Sequence, residues 1–199
     1  MAKRRKVGNP LALAVLAELL MGPLHPYEIG RRLTAQDKGR NIKYNRGSLY
    51  MVVEQLAKAG FIAEHDTVRD TQRPERTNYV LTPEGKDELY DWLRDLVAKP
   101  EHEFPKFGVA LSLLVVLPPG EAVELLKKRR AALAEEAEQI RADVKATTDG
   151  GVPWVFLVEE EYRLAVLEAE IKFVTHLAES LNQPDYLRTW QEMFKGAGT

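Results

Sequence analysis

An apolar stripe within residues 44–62 constrains the fold of this chain more than any other feature of its sequence. Its members recur at the i, i+3, i+4, i+7 spacing of one helix face and are Leu49, Val52, Val53 and Leu56. Either Asn45 or Ser48 could supply the N-cap oxygen, and Gly60 follows the last turn as a stop signal. The spacing predicts a helix that begins near Arg46 and packs on a small core through this stripe.

The other face of this predicted helix, with the turn before it, is cationic, aromatic and hydrogen-bonding, and it contains no acidic residue. The residues concerned are Lys43, Tyr44, Asn45, Arg46, Ser48, Tyr50 and Met51. A helix held to a core by one apolar face can place its N-terminal residues in a DNA major groove. An ordinary amphipathic surface helix would show the same pattern, so the neighbouring segments must distinguish the two interpretations.

Two shorter helices are predicted before it. The first runs from about Pro10 to Met21 and is apolar on much of its surface, and Gly22-Pro23 ends it. The second runs from about Pro26 to Lys38, and its inward-facing residues are predicted to be Tyr27, Ile29 and Leu33. Two short helices, a turn and a third helix with a cationic leading edge form a helix-turn-helix pattern.

A β-hairpin is predicted next, with strands at residues 61–65 and 77–81 that alternate in polarity. The segment between them is rich in arginine and contains Arg69, Arg73 and Arg76. A basic hairpin directly after a third helix is typical of a wing, which contacts phosphates or an adjacent minor groove. A flexible polar loop is the alternative interpretation.

The hairpin is followed by a fourth predicted helix. Thr82 is placed to cap it, Pro83 suits its first position, and it continues to about Ala98. Lys99-Pro100 ends it, and residues 99–106 are predicted to be a linker.

The segment from Leu11 to Leu96 resembles the PadR family of transcriptional regulators. The resemblance is carried by HPYEIGRRL, RGSLYMVVEQLAKAGFI and RPERTNYVLTPEGKDEL. The family pattern G-[ST]-L-Y-P reads Gly47-Ser48-Leu49-Tyr50-Met51 here, so this chain departs from it at Met51. The resemblance implies a winged helix-turn-helix fold. It extends beyond residue 100 to the longer family members, whose C-terminal helices mediate dimerisation.

The resemblance also implies an effector site, because in some relatives aromatic residues on the fourth helix bind flat ligands between subunits. The candidates in this chain for a small aromatic effector are Tyr90, Trp92, Phe104 and Phe107. For Trp92, a place in the core is the stronger interpretation.

Two long helices are predicted in the C-terminal part, at about residues 120–147 and 153–181. The second carries apolar residues at heptad-related intervals, and the candidates for dimerisation are Leu157, Leu164, Leu167, Ile171, Val174 and Leu181. Sustained heptads favour helix pairing within one chain or with a second chain. We expect both, since a lone pair of this length would leave an apolar stripe exposed.

The two parts of the chain differ in charge. Residues 1–80 contain 14 lysines and arginines against 8 acidic residues, whereas residues 81–199 contain 14 against 22. This asymmetry favours contact with a polyanion by the first part alone. Residues 1–8 form a predicted basic arm with Lys3, Arg4, Arg5 and Lys6, which either follows DNA or remains a solvated tail.

The sequence also excludes several classes of protein. The apolar segment behind the basic N-terminus contains Glu18 and lacks a clear cleavage site, so we expect a cytoplasmic protein rather than an exported one. The absence of cysteine excludes disulfides and cysteine-based metal sites. No histidine pair has metal-site spacing, and Walker A, GxGxxG and GxSxG patterns are absent. We therefore expect no cofactor, no metal site and no enzyme.

These observations predict a mainly α protein with a winged helix-turn-helix domain at residues 9–98 and a helical dimerisation domain at 107–199. The expected function is sequence-specific binding of double-stranded DNA as a homodimeric repressor on a near-palindromic operator. The candidate DNA contacts are Arg4, Arg5, Lys6, Tyr27, Lys43, Asn45, Arg46, Ser48, Tyr50, Arg73 and Arg76. The alternative is a protein-interaction module that uses the winged domain as a scaffold.

Overall fold

The structure is a computed structural model that describes residues 5–68 and 76–195. The chain divides into two compact units, Met1–His102 and Glu103–Thr199, and the predicted linker at residues 99–106 spans the division. Each unit has its own hydrophobic core. No helix among the described residues has the length and apolar character needed to cross a membrane.

The first unit contains four helices and one β-hairpin. Its elements are α1 (Pro10–Leu19), α2 (Pro26–Ala35), α3 (Arg46–Lys58), β1 (Ile62–Val68), β2 (Arg76–Leu81) and α4 (Pro83–Ala98). This order is that of a winged helix-turn-helix, as the sequence predicted. Both α1 and α2 end earlier than expected. A 3-10 turn (Lys38–Arg40) follows α2 after Asp37, whose φ of 52° lies in the left-handed region.

Side-chain oxygens or nitrogens cap the N-termini of these helices. Asn9 Oδ1 accepts a hydrogen bond from the Leu11 amide at 2.9 Å, and His25 Nδ1 accepts one from the Tyr27 amide at 3.1 Å. Thr82 Oγ1 accepts from the Gly85 amide at 3.0 Å. Proline occupies the first turn of α1, α2 and α4, where no intrahelical donor is needed. Local sequence therefore defines where these helices start.

The core of this unit forms around α1. Leu11, Val15 and Leu16 are fully buried, and they belong to one cluster with the predicted stripe of α3. The α4 residues Leu89 and Trp92 complete the same cluster. Burial on this scale holds α3 rigidly, so its opposite face has a fixed place on the surface.

The hairpin is bound to the helix-turn-helix by a third, one-residue strand. β1 and β2 pair antiparallel from Ile62 opposite Leu81, and a β-bulge interrupts the register between Glu64 and Asp66. The Leu24 amide donates to the Tyr79 carbonyl at 3.0 Å, and the Tyr79 amide donates to the Leu24 carbonyl at 2.9 Å. The loop between α1 and α2 is thereby joined to β2.

The second unit is built on two long antiparallel helices. Its helices are α5 (Lys106–Ser112), α6 (Pro119–Asp149), α7 (Val158–Leu181) and α8 (Pro184–Phe194), with 3-10 turns at Leu114–Val116 and Trp154–Phe156. The start of α6 packs on the end of α7, as Leu126 does with Val174 and Leu181. The middle of α6 packs on Leu167. The sequence did not predict α8, and it placed the start of the last long helix at Pro153 rather than Val158.

Candidate nucleic-acid interface

A capping box fixes the start of α3. Asn45 Oδ1 accepts a hydrogen bond from the Ser48 amide at 2.9 Å, and Ser48 Oγ accepts one from the Asn45 amide at 2.8 Å. Ser48 Oγ also donates to the Asn45 carbonyl at 2.9 Å. The sequence left the N-cap open between these two residues, and the structure uses both side chains. The side-chain oxygens of both residues therefore bind backbone groups at the helix start rather than facing solvent or a ligand.

Arg46 and Tyr50, in the first two turns of α3, form a stack of a cation on an aromatic ring. The Arg46 guanidinium lies 5.8 Å from the centre of the Tyr50 ring. The ring of His25 also meets Tyr50 edge to face, with the ring centres 6.5 Å apart and the ring planes at 73°. Arg46 is exposed and Tyr50 is half-buried. Two residues predicted as DNA contacts therefore lie side by side at the leading edge of α3.

The two arginines at the centre of α2 are paired with acids. Arg31 Nε lies 2.7 Å from Glu28 Oε1, and Arg32 lies 3.7 Å from Glu18. By contrast, no ion pair is found for Lys43 or Arg46 within residues 5–68 and 76–195. Within the part of the chain that the structure describes, positive charge without an acidic partner thus lies at the start of α3 and in the turn before it.

A groove of about 540 Å³ separates α2 from α3 beside this stack. Its walls include Tyr27, Tyr44, Leu49 and Tyr50. The sequence predicted an inward position for Tyr27, but this residue is 59% exposed. The buried residues of α2 are Pro26, Ile29 and Leu33, so Tyr27 points away from the core. Its exposure leaves it available as a surface contact.

The basic arm is not free at Arg5. The Arg5 side chain is only 7% exposed, and its guanidinium lies 2.8 Å from Glu88, 3.2 Å from Asp91 and 2.6 Å from Asp95. It also lies 5.2 Å from the centre of the Trp92 ring. Arg5 is therefore corrected from a DNA contact to a residue that attaches the chain start to α4, because three carboxylates already occupy its donors.

The other arm residues differ from Arg5. Lys6 is exposed, and its ammonium lies 5.5 Å from the centre of the Phe61 ring. Val7 is buried in the core of the first unit, so the predicted free arm does not extend to residue 8. Arg4 lies outside the described residues, as do the wing residues Arg69 and Arg73. The described part of β2 begins at Arg76, opposite Val68.

The four effector candidates are divided between the two units. Trp92 is buried in the core of the first unit, as its stronger interpretation predicted, and Tyr90 on the same helix is 38% exposed. Phe104 is 84% exposed. Phe107 is half-buried against the core of the second unit, with the Arg129 guanidinium 3.7 Å from its ring centre. Each therefore has a distinct environment.

The six heptad residues proposed for dimerisation pack inside the chain. Leu157, Leu167, Val174 and Leu181 are buried, and Leu164 and Ile171 pack against the same cores. Pairing within one chain, one of the two arrangements expected, is therefore present, because α6 packs on that face; a role of these residues in dimerisation stays a prediction. The apolar residues that remain exposed on α7 follow a second stripe: Val158, Tyr162, Val166 and Phe173.

Comparison with known proteins identifies the family. The model of the transcriptional regulator PadR-like family matches residues 13–91. The negative transcriptional regulator PadR of Bacillus subtilis (strain 168) is 30% identical over 129 residues, which span 63% of this chain and 70% of that protein. The chain belongs to the PadR family. This family assignment confirms the resemblance carried by the helix-turn-helix and hairpin motifs.

Several solved structures share the fold. Bacillus subtilis PadR in complex with operator DNA has a TM-score of 0.72 at 19% identity and covers 87% of this chain and 100% of its own. The complex of that protein with p-coumaric acid gives the same TM-score and identity, with 87% and 99% covered. The Vibrio cholerae virulence activator AphA has a TM-score of 0.65 at 16% identity, with 86% and 98% covered.

Proposed function

We propose that this PadR-family transcriptional regulator binds a near-palindromic operator as a cytoplasmic homodimer and represses transcription. DNA binding would fall to the domain at residues 9–98, and dimerisation to the domain at 107–199. The observation that carries the proposal is the leading edge of α3, where Arg46 and Lys43 are exposed and have no ion pair within the described part of the chain. Insertion of this edge into a major groove would bring both cations near the DNA.

The proposed DNA contacts fall into direct and indirect ones, according to the hydrogen bonds that each side chain already makes within the protein. Arg46, Tyr50 and Tyr27 are the candidates for the DNA-facing surface, and Lys43 lies in the turn that would follow the phosphates. Arg76, with Arg4 and Arg73, remains a proposed contact of the wing and arm. Asn45 and Ser48 would act indirectly, by fixing the start of α3.

Self-association would use the exposed apolar stripe of α7. Val158, Tyr162, Val166 and Phe173 are between 47% and 73% exposed, and they repeat at spacings of four and seven residues. Contiguous exposed apolar patches commonly mark surfaces that bind another protein. A second copy of the same helix would bury it and would present two α3 helices to successive major grooves, about 34–36 Å apart.

A small aromatic effector is the proposed signal. The support is that one solved PadR structure holds p-coumaric acid and that Tyr90 and Phe104 expose aromatic surface in this chain. Trp92 contributes less surface because it lies in the core. Titration of the protein–DNA complex with p-coumarate, followed by fluorescence anisotropy, tests whether such a ligand releases the DNA.

Selection of random duplex DNA by the purified protein tests the main proposal. An enriched inverted repeat is the expected result. Selection of no sequence, with binding that vanishes at moderate salt, would contradict it and would favour the protein-interaction module. Repression and activation are then separated by transcription from a promoter that carries the selected site, because a protein of similar fold is described as an activator.

A further inference from the structure

The polar groups at the start of α3 fall into two classes. The side chains of Asn45 and Ser48 are committed to the capping box, with hydrogen bonds of 2.8–2.9 Å between them. The guanidinium of Arg46 has no hydrogen bond or ion pair within the described residues. Among the residues of the first helical turn, Arg46 is thus the one with several donors available to a ligand.

Arg46 occupies the position from which helix-turn-helix proteins read bases. It is the first residue of α3, and N-terminal residues of a recognition helix contact base edges. Lys43 precedes the helix by three residues, in the turn, where contacts to the DNA backbone are usual. Location therefore distinguishes these two cations, neither of which has an ion pair among the residues that the structure describes.

The Tyr50 ring restricts the orientation of the guanidinium. The guanidinium lies 5.8 Å from the ring centre, within the range of a cation–π contact, and the ring itself makes an edge-to-face contact with His25. An arginine that is held in this way loses less rotational freedom when it forms a pair of parallel hydrogen bonds. Such pre-orientation favours a planar, two-acceptor target over a single phosphate oxygen.

We infer that Arg46 determines specificity by reading one guanine in each half of the operator. The guanine edge in the major groove presents O6 and N7, and a bidentate arginine contact to these atoms is the commonest specific contact in protein–DNA complexes. Tyr50 is the positioning residue for this contact. The inference rests on the proposed function, since it assumes a specific DNA site.

The first experiment uses the wild-type protein and its selected site. Each guanine of that site is replaced in turn by 7-deazaguanine, which lacks the N7 acceptor but keeps normal pairing. The wild-type protein is expected to lose about tenfold or more in affinity at one symmetric pair of guanines. Arg46→Ala is expected to be insensitive to the same replacement, because the partner of N7 has already been removed.

Arg46→Lys is the sharper variant because it keeps the charge and removes the planar fork. We expect it to retain the salt dependence of binding and to lose most of the preference for guanine at that position. Lys43→Ala is the matched control and should weaken binding to all sequences equally, with a smaller salt slope. Tyr50→Phe should preserve the preference, since it keeps the ring, whereas Tyr50→Leu should reduce it.

The outcomes separate this inference from the function on which it rests. If the wild-type protein selects no site, the proposed function fails. If it selects a site but Arg46→Ala loses the same factor on every sequence, Arg46 contacts phosphate and the inference is wrong. If Arg46→Lys keeps the full preference for guanine, Arg46 does not make the proposed bidentate contact. Circular dichroism and thermal denaturation of each variant check that the helical fold is retained.

Discussion

The side chains of Asn45 and Ser48 cap the N-terminus of α3. They should therefore affect the stability of the protein more than its preference for particular bases. Asn45→Ala removes the oxygen that accepts from the Ser48 amide, and we expect a loss of about 1 kcal/mol in the free energy of unfolding. Met51→Ala is the control on the same helix, because Met51 is 53% exposed and alanine favours helix. Urea denaturation measures both. An altered base preference with unchanged stability would contradict the capping role.

Arg5 should contribute to stability rather than to DNA affinity. Arg5→Ala leaves Glu88, Asp91 and Asp95 close together without their shared cation, and we expect a loss of about 1–3 kcal/mol, less than for a fully buried pair because these acids are partly exposed. Lys6→Ala is the exposed control and should change stability by about 0.5 kcal/mol or less. Equal losses in thermal denaturation, or a lower salt slope of DNA binding for Arg5→Ala, would contradict this role.

The comparison of Arg5 with the capping box shows what sequence can predict at the scale of a residue. Asn45 and Ser48 act on a helix that they begin, so spacing along the chain was sufficient to identify them. The partners of Arg5 lie 83–90 residues away, and four consecutive cations gave no indication of them. The signal was present only on α4, where Glu88, Asp91 and Asp95 share one face at i, i+3, i+7.

Among the elements, α4 depends on a close backbone approach at Gly85. A Cβ at this position would overlap the carbonyl oxygen of Phe61, which is backbone and cannot rotate away. Gly85→Ala should therefore destabilise the first unit by about 3 kcal/mol or more. Gly120→Ala in the first turn of α6 is the control, because no atom lies within 4 Å of its Cβ position. Comparable thermal midpoints for the two variants would refute the close approach.

The ion pair at the end of α4 should make the free energy of unfolding depend on pH. The hydrogen bond from Lys99 is the main cause that lowers the pKa of Asp95, and the charges of Lys99 and Arg5 add to it. Because the folded-state pKa lies below the unfolded value, this contribution is present above the unfolded pKa and is lost as pH falls through the folded pKa. Asp95→Asn should therefore be less stable than wild type near pH 7, and the difference should shrink below about pH 4.

Urea midpoints at both pH values measure this difference. Asp87→Asn is the matched control, since Asp87 is exposed on the same helix and has no ion pair within residues 5–68 and 76–195. A stability difference between Asp95→Asn and wild type that is independent of pH would mean that the Lys99 contact does not act through the charge of Asp95.

At the element scale, periodicity predicted the helices and hairpin of the first unit, because capping residues and glycines marked their ends. It did not reveal α8, although Tyr186, Leu187, Trp190 and Phe194 have helical spacing behind Pro184. Trp190 makes a hydrogen bond to the Val115 carbonyl at 2.8 Å, a contact that depends on the tertiary fold. Heptads likewise indicated pairing of α7 without specifying that α6 of the same chain would be the partner.

At the scale of the whole molecule, the exposed stripe of α7 predicts the oligomeric state of the protein. Tyr162→Glu and Phe173→Glu would each place charge in an apolar interface, and we expect self-association to weaken at least tenfold. Light scattering after size exclusion measures the mass. Ala142→Glu on the exposed face of α6 is the control and should remain dimeric.

Two results would contradict this interface. Variants that remain dimeric at low concentration would place the interface elsewhere on the molecule. If the wild-type protein is monomeric at the concentrations at which it binds its site, the proposal of a symmetric dimer is itself wrong. Retention of helical circular dichroism is required of each variant, because the opposite face of α7 forms the core.

The two hydrogen bonds between Leu24 and Tyr79 limit how the wing can be exchanged among relatives. They join backbone atoms, so the side chain at residue 79 can vary while the strand keeps its place. A hairpin grafted from another regulator would therefore be accepted if its second strand keeps this register, whereas an insertion of one residue in β2 would detach the corner between α1 and α2. In modular terms, the base of the hairpin, where β2 pairs with Leu24, belongs to the scaffold.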